Sequence, residues 1–173
     1  TDLPLIVFQY ANDYAYPLHA LIRLCEEIPA IRAVKDKSSP PLHERTIQEL
    51  HGLTRPVNVL TTCSAWLMSS LVMGAAGVLS GSGSIIADLH VALWRAVQAD
   101  DLPRARDISK RIYPTAQCFY AAPVCDQHNR MKEALVMLGR LDGPAVVRPP
   151  LAKLGAAELQ RIRSAIDAAG LDE

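Results

Sequence analysis

IRAVKDKSS, residues 31–39, is the stretch on which the fold turns. In an extended chain Ile31, Ala33 and Lys35 share one face, and Arg32 and Val34 share the other. A strand that buries apolar side chains and then points an ammonium the same way allows two readings. Either the lysine stem is buried and its head is wet at a strand end, or the amine stands in a dry cavity. Burial disfavours the charged form and lowers a lysine from its ordinary pKa of about 10.4, freeing the lone pair to attack a carbonyl. The residues alone leave both readings open. Lys37 shares the parity of Lys35 but lies beyond the apolar run, so it is expected to be solvated.

Outward from this stretch the chain alternates strand and helix. Leu3 to Tyr10 (LPLIVFQY) is a short apolar run rich in β-branched and aromatic residues, the pattern of a buried strand. Tyr16 to Ile28 carries Leu18, Leu21, Ile22 and Cys25 at helical spacing, with Pro17 suited to a first turn. Ala30 to Lys35 is the second strand. His43 to Leu53 is a charged helix with an Ile47/Leu50 stripe, ended by Gly52. Val57 to Thr61 is the third strand, Ser64 to Met73 a buried helix, Gly77 to Ser80 a short fourth strand, and Ile85 to Gln98 a helix. Strands without polar alternation, joined by helical crossovers, predict a parallel sheet covered on its faces. Beyond them Leu102 to Tyr120, Val124 to Leu141 and Ala156 to Ala169 all read as helices.

The composition narrows the partners. The chain has 173 residues, 50% hydrophobic and 21% charged, with 18 basic and 18 acidic side chains. That balance argues against nucleic acid, whose partners carry a basic excess. No apolar run reaches the roughly 18 residues of a membrane span. The chain opens on Thr1 rather than Met and lacks the basic flank and apolar core of a signal peptide, so we expect a processed start or one within a longer chain. Cys25, Cys63, Cys118 and Cys125 are irregularly spaced, which predicts reduced thiols in a cytoplasmic protein and no metal site. No cofactor is expected.

Four strand–helix units cannot close a parallel barrel, which takes about 250 residues in eight units. A small open sheet is the alternative, but the glycine fingerprint of a dinucleotide-binding turn is missing. The expected fold is therefore α/β, the second half of a (β/α)8 barrel over residues 1–100, followed by a helical extension over 101–173.

In such a fold functional groups gather at the carboxyl ends of strands. Lys35 stands at one. Phe8 and Tyr10 end the first strand on one face, and a phenol there can relay a proton, which Phe8 cannot. Thr61, Thr62, Cys63 and Ser64 end the third strand. They offer hydrogen bonds, a thiol with no histidine near it in sequence, and a helix cap, for which Ser64 is favoured. SGSGS, residues 80–84, precedes a helix and is either an anion cradle or a tight turn. The five histidines lack a carboxylate–histidine–serine pattern and read as structural. Arg130 and Lys132 read as helix-face charges.

The ordered set LPLIVFQY, AIRAVKD, VLTTCSA, GAAGVLS and KEALVMLG…VRPPLAKL resembles the second half of the dihydrodipicolinate synthase/N-acetylneuraminate lyase family. The resemblance implies a (β/α)8 barrel with a C-terminal helical extension, assembled as a tetramer, that binds pyruvate or a related 2-oxo acid as a Schiff base. It makes Lys35 the Schiff-base lysine ending strand six and leaves strands one to four upstream of Thr1. Leu79 falls where the family uses a backbone carbonyl near the keto acid, and Thr62 where a glycine often lines the pocket. The family's proton-relay tyrosine matches Phe8, with Tyr10 as the possible substitute. The arginine that dihydrodipicolinate synthases place a few residues later is replaced around Asn12 and Asp13. The expected function is a class I aldolase, lyase or synthase acting on a 2-oxo acid, other than a true dihydrodipicolinate synthase. The alternatives are a catalytically impaired member that binds a ligand or partner, and a phosphate-ligand barrel that uses SGSGS.

Overall fold

The computed structural model describes residues 3–10, 12–62 and 64–171. The chain divides into two compact units, residues 1–80 and 81–173. Among the described residues there are four strands and seven α-helices, and no helix is long and apolar enough to cross a membrane.

The first unit is strand–helix alternation: β1 (Leu5–Gln9), α1 (Leu18–Glu27), β2 (Ile31–Asp36), α2 (Pro40–His51), β3 (Asn58–Thr61), α3 (Leu67–Val72) and β4 (Gly77–Val78). The strands form one parallel sheet in chain order, as the unbroken apolar runs predict. Leu21 and Cys25 of α1, Ile47 and Leu50 of α2, and Leu67 and Leu71 of α3 are buried with Val34 and Val59 of the sheet. Arg55 ties the turn between α1 and β2, donating from Nη1 to Ile31 O at 2.7 Å and from Nη2 to Cys25 O.

Several boundaries differ from expectation by a few residues, and two helix starts show why. Helix α2 begins at Pro40, three residues ahead of His43, because a proline at the first helical position gives up no needed N–H and has the right φ. The helix expected from Ser64 is a 3-10 turn (Ser64–Trp66) followed by a short α3 whose N-cap is Trp66. Ser64 Oγ lies 3.0 Å from Ser80 Oγ. Gly74, at φ 109°, lets the chain leave α3 and enter β4 in a conformation closed to other residues.

The second unit is all helix: α4 (Gly83–Gln98), α5 (Leu102–Phe119), α6 (Gln127–Met137) and α7 (Ala156–Ala169). Leu93, Ala105, Ile112, Phe119, Ala134, Ile162 and Ile166 build its core. Asp101 caps α5 by accepting from Arg104 N at 3.1 Å. Gly170 ends α7 in the left-handed conformation. Arg130 is no helix-face charge. Its guanidinium is 1% exposed, donates to Glu158 Oε2 at 2.8 Å and to Ala121 O at 2.7 Å, and reaches the carbonyls of Phe119, Ala122 and Pro123 at 3.3 Å.

Candidate active site

Alternation along the strands separates two kinds of residue at the carboxyl end of the sheet. Gln9, Asp36 and Thr61 lie side by side in register and are fully buried on the face that α2 and α3 cover. Phe8, Lys35, Leu60 and Gly77 form the neighbouring row and point to the other face. That face is more open: Lys35 is half-buried and Phe8 43% exposed.

Tyr10, Lys37, Thr62 and Leu79 make a second row, each one residue past the end of its strand. The sheet's hydrogen bonding continues through it: Lys37 N donates to Gln9 O at 2.8 Å, Thr62 N to Asp36 O at 3.3 Å, and Leu79 N to Thr61 O at 2.8 Å. All five residues expected at the site, Phe8, Tyr10, Lys35, Thr62 and Leu79, therefore share one parity at one end of one sheet. Each row holds one pair of cation and ring. Lys35 Nζ lies 4.4 Å from the Phe8 ring centroid, and Lys37 Nζ lies 4.9 Å from that of Tyr10. The two rings meet edge to face at 5.3 Å.

The buried row anchors the loops. The Gln9 amide donates to Tyr16 O and accepts from Tyr16 N, both at 2.9 Å, so one side chain holds the segment after β1. Asp36 Oδ1 accepts from Ser38 N at 2.8 Å and from Ser38 Oγ at 2.7 Å, which fixes the turn after Lys35. Asp36 Oδ2 is 2.8 Å from His43 Nδ1, and His43 Nε2 is 2.7 Å from Ser70 Oγ. This order of carboxylate, imidazole and hydroxyl matches a nucleophilic triad in connectivity. Asp36, His43 and Ser70 are buried behind the sheet, where no substrate carbonyl reaches Ser70, so it is a support. Sequence reasoning missed it. The one available signal was parity, which puts Asp36 on the face opposite Lys35.

The other candidates fare differently. Cys63 lies outside the described residues. Cys25 and Cys118 are buried thiols, and burial pushes both above their ordinary pKa, away from nucleophilic use. Within SGSGS, Ser82 N donates to Tyr120 Oη at 3.2 Å and Ser84 Oγ donates to Gly81 O at 2.9 Å, so these groups serve the chain's own loop.

Comparison with known proteins bears on the family and the fold. The model of the dihydrodipicolinate synthetase family matches residues 1–169. A 4-hydroxy-tetrahydrodipicolinate synthase of Nitratidesulfovibrio vulgaris is 27% identical over 98% of this chain and 56% of its own length. The enzyme of that name from Sorangium cellulosum is 28% identical over 83% of this chain and 46% of its own. The chain thus spans about half the length of the curated relatives it matches. Among solved structures, a dihydrodipicolinate synthase from Thermotoga maritima superposes with a TM-score of 0.86 at 17% identity, over 99% of this chain and 57% of that one. A prophage protein of the same family from E. coli K12, solved in complex with pyruvate, gives 0.87 at 20% identity with the same coverage. The likeness in fold is strong where the likeness in sequence is weak. With nearly every residue inside the family model, the chain belongs to the dihydrodipicolinate synthetase family.

Proposed function

We propose that the chain carries the nucleophile of a Schiff-base-forming aldolase, lyase or synthase that acts on pyruvate or a related 2-oxo acid. The observation that supports this most is the place of Lys35. It stands near the carboxyl end of β2, one residue before the last, on the open face of the sheet, in one row with Phe8 and one step below Tyr10 and Thr62. In this reading β1–β4 are the second half of a (β/α)8 barrel within residues 1–100, and residues 101–173 are the helical extension. The coverage of about half of each relative fits that assignment.

The chemistry follows from the amine. Lys35 Nζ adds to the keto carbon, the carbinolamine loses water, and an iminium forms. The iminium draws electrons from the neighbouring carbon, where a bond is then made or broken. Phe8 has no proton to give, so the Tyr10 hydroxyl takes the relay, its ring held against Phe8. Leu79 offers its backbone carbonyl to the bound acid and Thr62 lines the pocket. The replacement of a tyrosine by Phe8, and of an arginine around Asn12 and Asp13, sets this chain apart from a true dihydrodipicolinate synthase. A carboxylate on a second substrate would lose its partner there.

Borohydride reduction in the presence of pyruvate tests the reading on the intact protein. Peptide mapping should find the added mass on Lys35, and Lys35→Ala should abolish it. An adduct elsewhere, or none, would overturn the assignment. The packing of Phe8 against Lys35 also favours a second reading, a ligand-binding member without turnover. The two separate by exchange of the pyruvate methyl protons in deuterated water. Turnover chemistry requires exchange, and a binding module shows trapping without it.

A further inference from the structure

The second row of the open face holds a feature that the proposed reaction does not use. Lys37 stands between Tyr10 and Thr62 on adjacent strands, so a phenol, an ammonium and an alcohol lie in line one step above Lys35. Neighbouring strands are about 4.8 Å apart, and same-face residues on one strand are about 6.6 Å apart. Lys37 is therefore not the freely solvated charge its position beyond the apolar run suggests. It is half-buried, its N–H continues the sheet, and its ammonium sits over the Tyr10 ring at 4.9 Å. Among the described residues no carboxylate lies within ion-pair distance of Lys35 or Lys37. The carboxylate next in sequence to both, Asp36, is turned to the opposite face and fully occupied by Ser38 and His43. With Lys35 committed to the keto carbon, Lys37 is a cation with no anion of the chain beside it among the described residues, which suits a ligand that brings a further negative group.

We propose that Lys37, flanked by Tyr10 and Thr62, is a second anion site that selects a 2-oxo acid bearing a distal carboxylate. The inference rests on Lys35 being the Schiff-base lysine. The keto carbon bonds to Lys35 Nζ with loss of water, and the distal carboxylate accepts hydrogen bonds from the Lys37 ammonium and the Thr62 hydroxyl. A five-carbon 2-oxo diacid spans roughly the same-face spacing of a strand once a hydrogen-bond length is added. The Tyr10 ring holds the Lys37 ammonium in place without neutralising it.

The test is borohydride trapping on the intact protein with 2-oxoglutarate and with pyruvate, each over a range of concentrations, read by mass at Lys35. The readout is the ratio of the two half-saturating concentrations. We expect the diacid to saturate at a concentration lower by about tenfold, the scale of one charge-assisted hydrogen bond. Lys37→Gln should bring the ratio to near one, Lys37→Arg should restore most of it, and Thr62→Val should reduce it in part. A ratio near one in the unmodified protein, or one that Lys37→Gln leaves in place, overturns the anion site while trapping at Lys35 stands. Absence of any adduct at Lys35 with either acid overturns the Schiff-base reading itself, and the anion site with it.

Discussion

His43 Nδ1 lies 2.8 Å from Asp36 Oδ2, and both side chains are fully buried. The residue that precedes Asp36 is Lys35, so the contact that pins α2 to the sheet also fixes the backbone that carries the candidate nucleophile. Burying a carboxylate costs several kcal/mol unless its oxygens are all satisfied. Here Ser38 occupies one oxygen and His43 the other, and His43 in turn meets Ser70 and packs edge-on against Trp66 at 4.9 Å. Asp36→Ala should lower unfolding free energy by about 3–5 kcal/mol, since it strands a buried imidazole and a buried hydroxyl. Because the partners act as one network, Asp36→Ala combined with His43→Leu should cost clearly less than the two single changes summed. Urea denaturation of the four proteins measures this, and additive losses would show that the contacts are independent.

Thr61 shows the opposite situation in the same buried row. It neighbours Asp36 in register and is fully buried, yet its Oγ1 has no hydrogen-bond partner among the described residues. An unpaired buried hydroxyl carries a desolvation cost of about 1–3 kcal/mol that an isosteric methyl does not. Thr61→Val should therefore hold or raise stability, by up to about 1 kcal/mol. A loss of 1 kcal/mol or more on chemical denaturation would mean that the hydroxyl has a partner after all.

How much of this was legible depended on where the signal lay. The strands could be read because Leu5–Gln9, Ile31–Asp36 and Asn58–Thr61 are compact runs rich in β-branched residues with turns between them. Alternation put Phe8 with Tyr10 and Lys35 with Ile31 and Ala33, Thr62 and Leu79 came from the family resemblance, and the strand pairing is what sets all five on one face. What could not be read was polar pairing over distance. Asp36, His43 and Ser70 belong to β2, α2 and α3, and nothing local marks them as partners. Arg130 looked like a surface charge because most of its acceptors are backbone carbonyls, which every residue has. Pro40 and Pro41 lie ahead of the helix expected from His43, yet they begin it, because the first helical positions need no donor.

Arg130 yields a sharp prediction. Its fork reaches the last carbonyl of α5, three carbonyls of the segment that follows and one carboxylate on α7. A lysine has the charge but not the planar fork, so Arg130→Lys leaves several buried carbonyls unmatched. We expect Arg130→Lys to cost about 2–3 kcal/mol and Arg130→Ala about 3–5 kcal/mol, with Glu158→Gln costing less because Glu158 is partly exposed and also meets Arg161. Thermal unfolding of the three variants ranks them. Equal losses for Arg130→Lys and Glu158→Gln would mean that the ion pair, and not the carbonyl clamp, holds this region.

His90 sets the response to acid. It lies on α4 at 7% exposure with Nε2 3.3 Å from Ser82 Oγ, and burial brings its imidazole down from the ordinary 6.5 to about 4. Between those two values the unfolded chain binds a proton that the folded chain refuses, so stability rises with pH across that window. The contribution is fully present above pH 6.5, is lost progressively as pH falls, and levels off below about 4. Its full size is about 3 kcal/mol from the linkage of pKa to stability. His90→Gln cannot titrate and should flatten the stability profile between pH 6.5 and 4, whatever its effect at neutral pH. Guanidinium unfolding at half-unit pH steps reads the slope directly. If the variant stays as steep as the unmodified chain, the acid loss belongs to the carboxylates and His90 is charged without penalty.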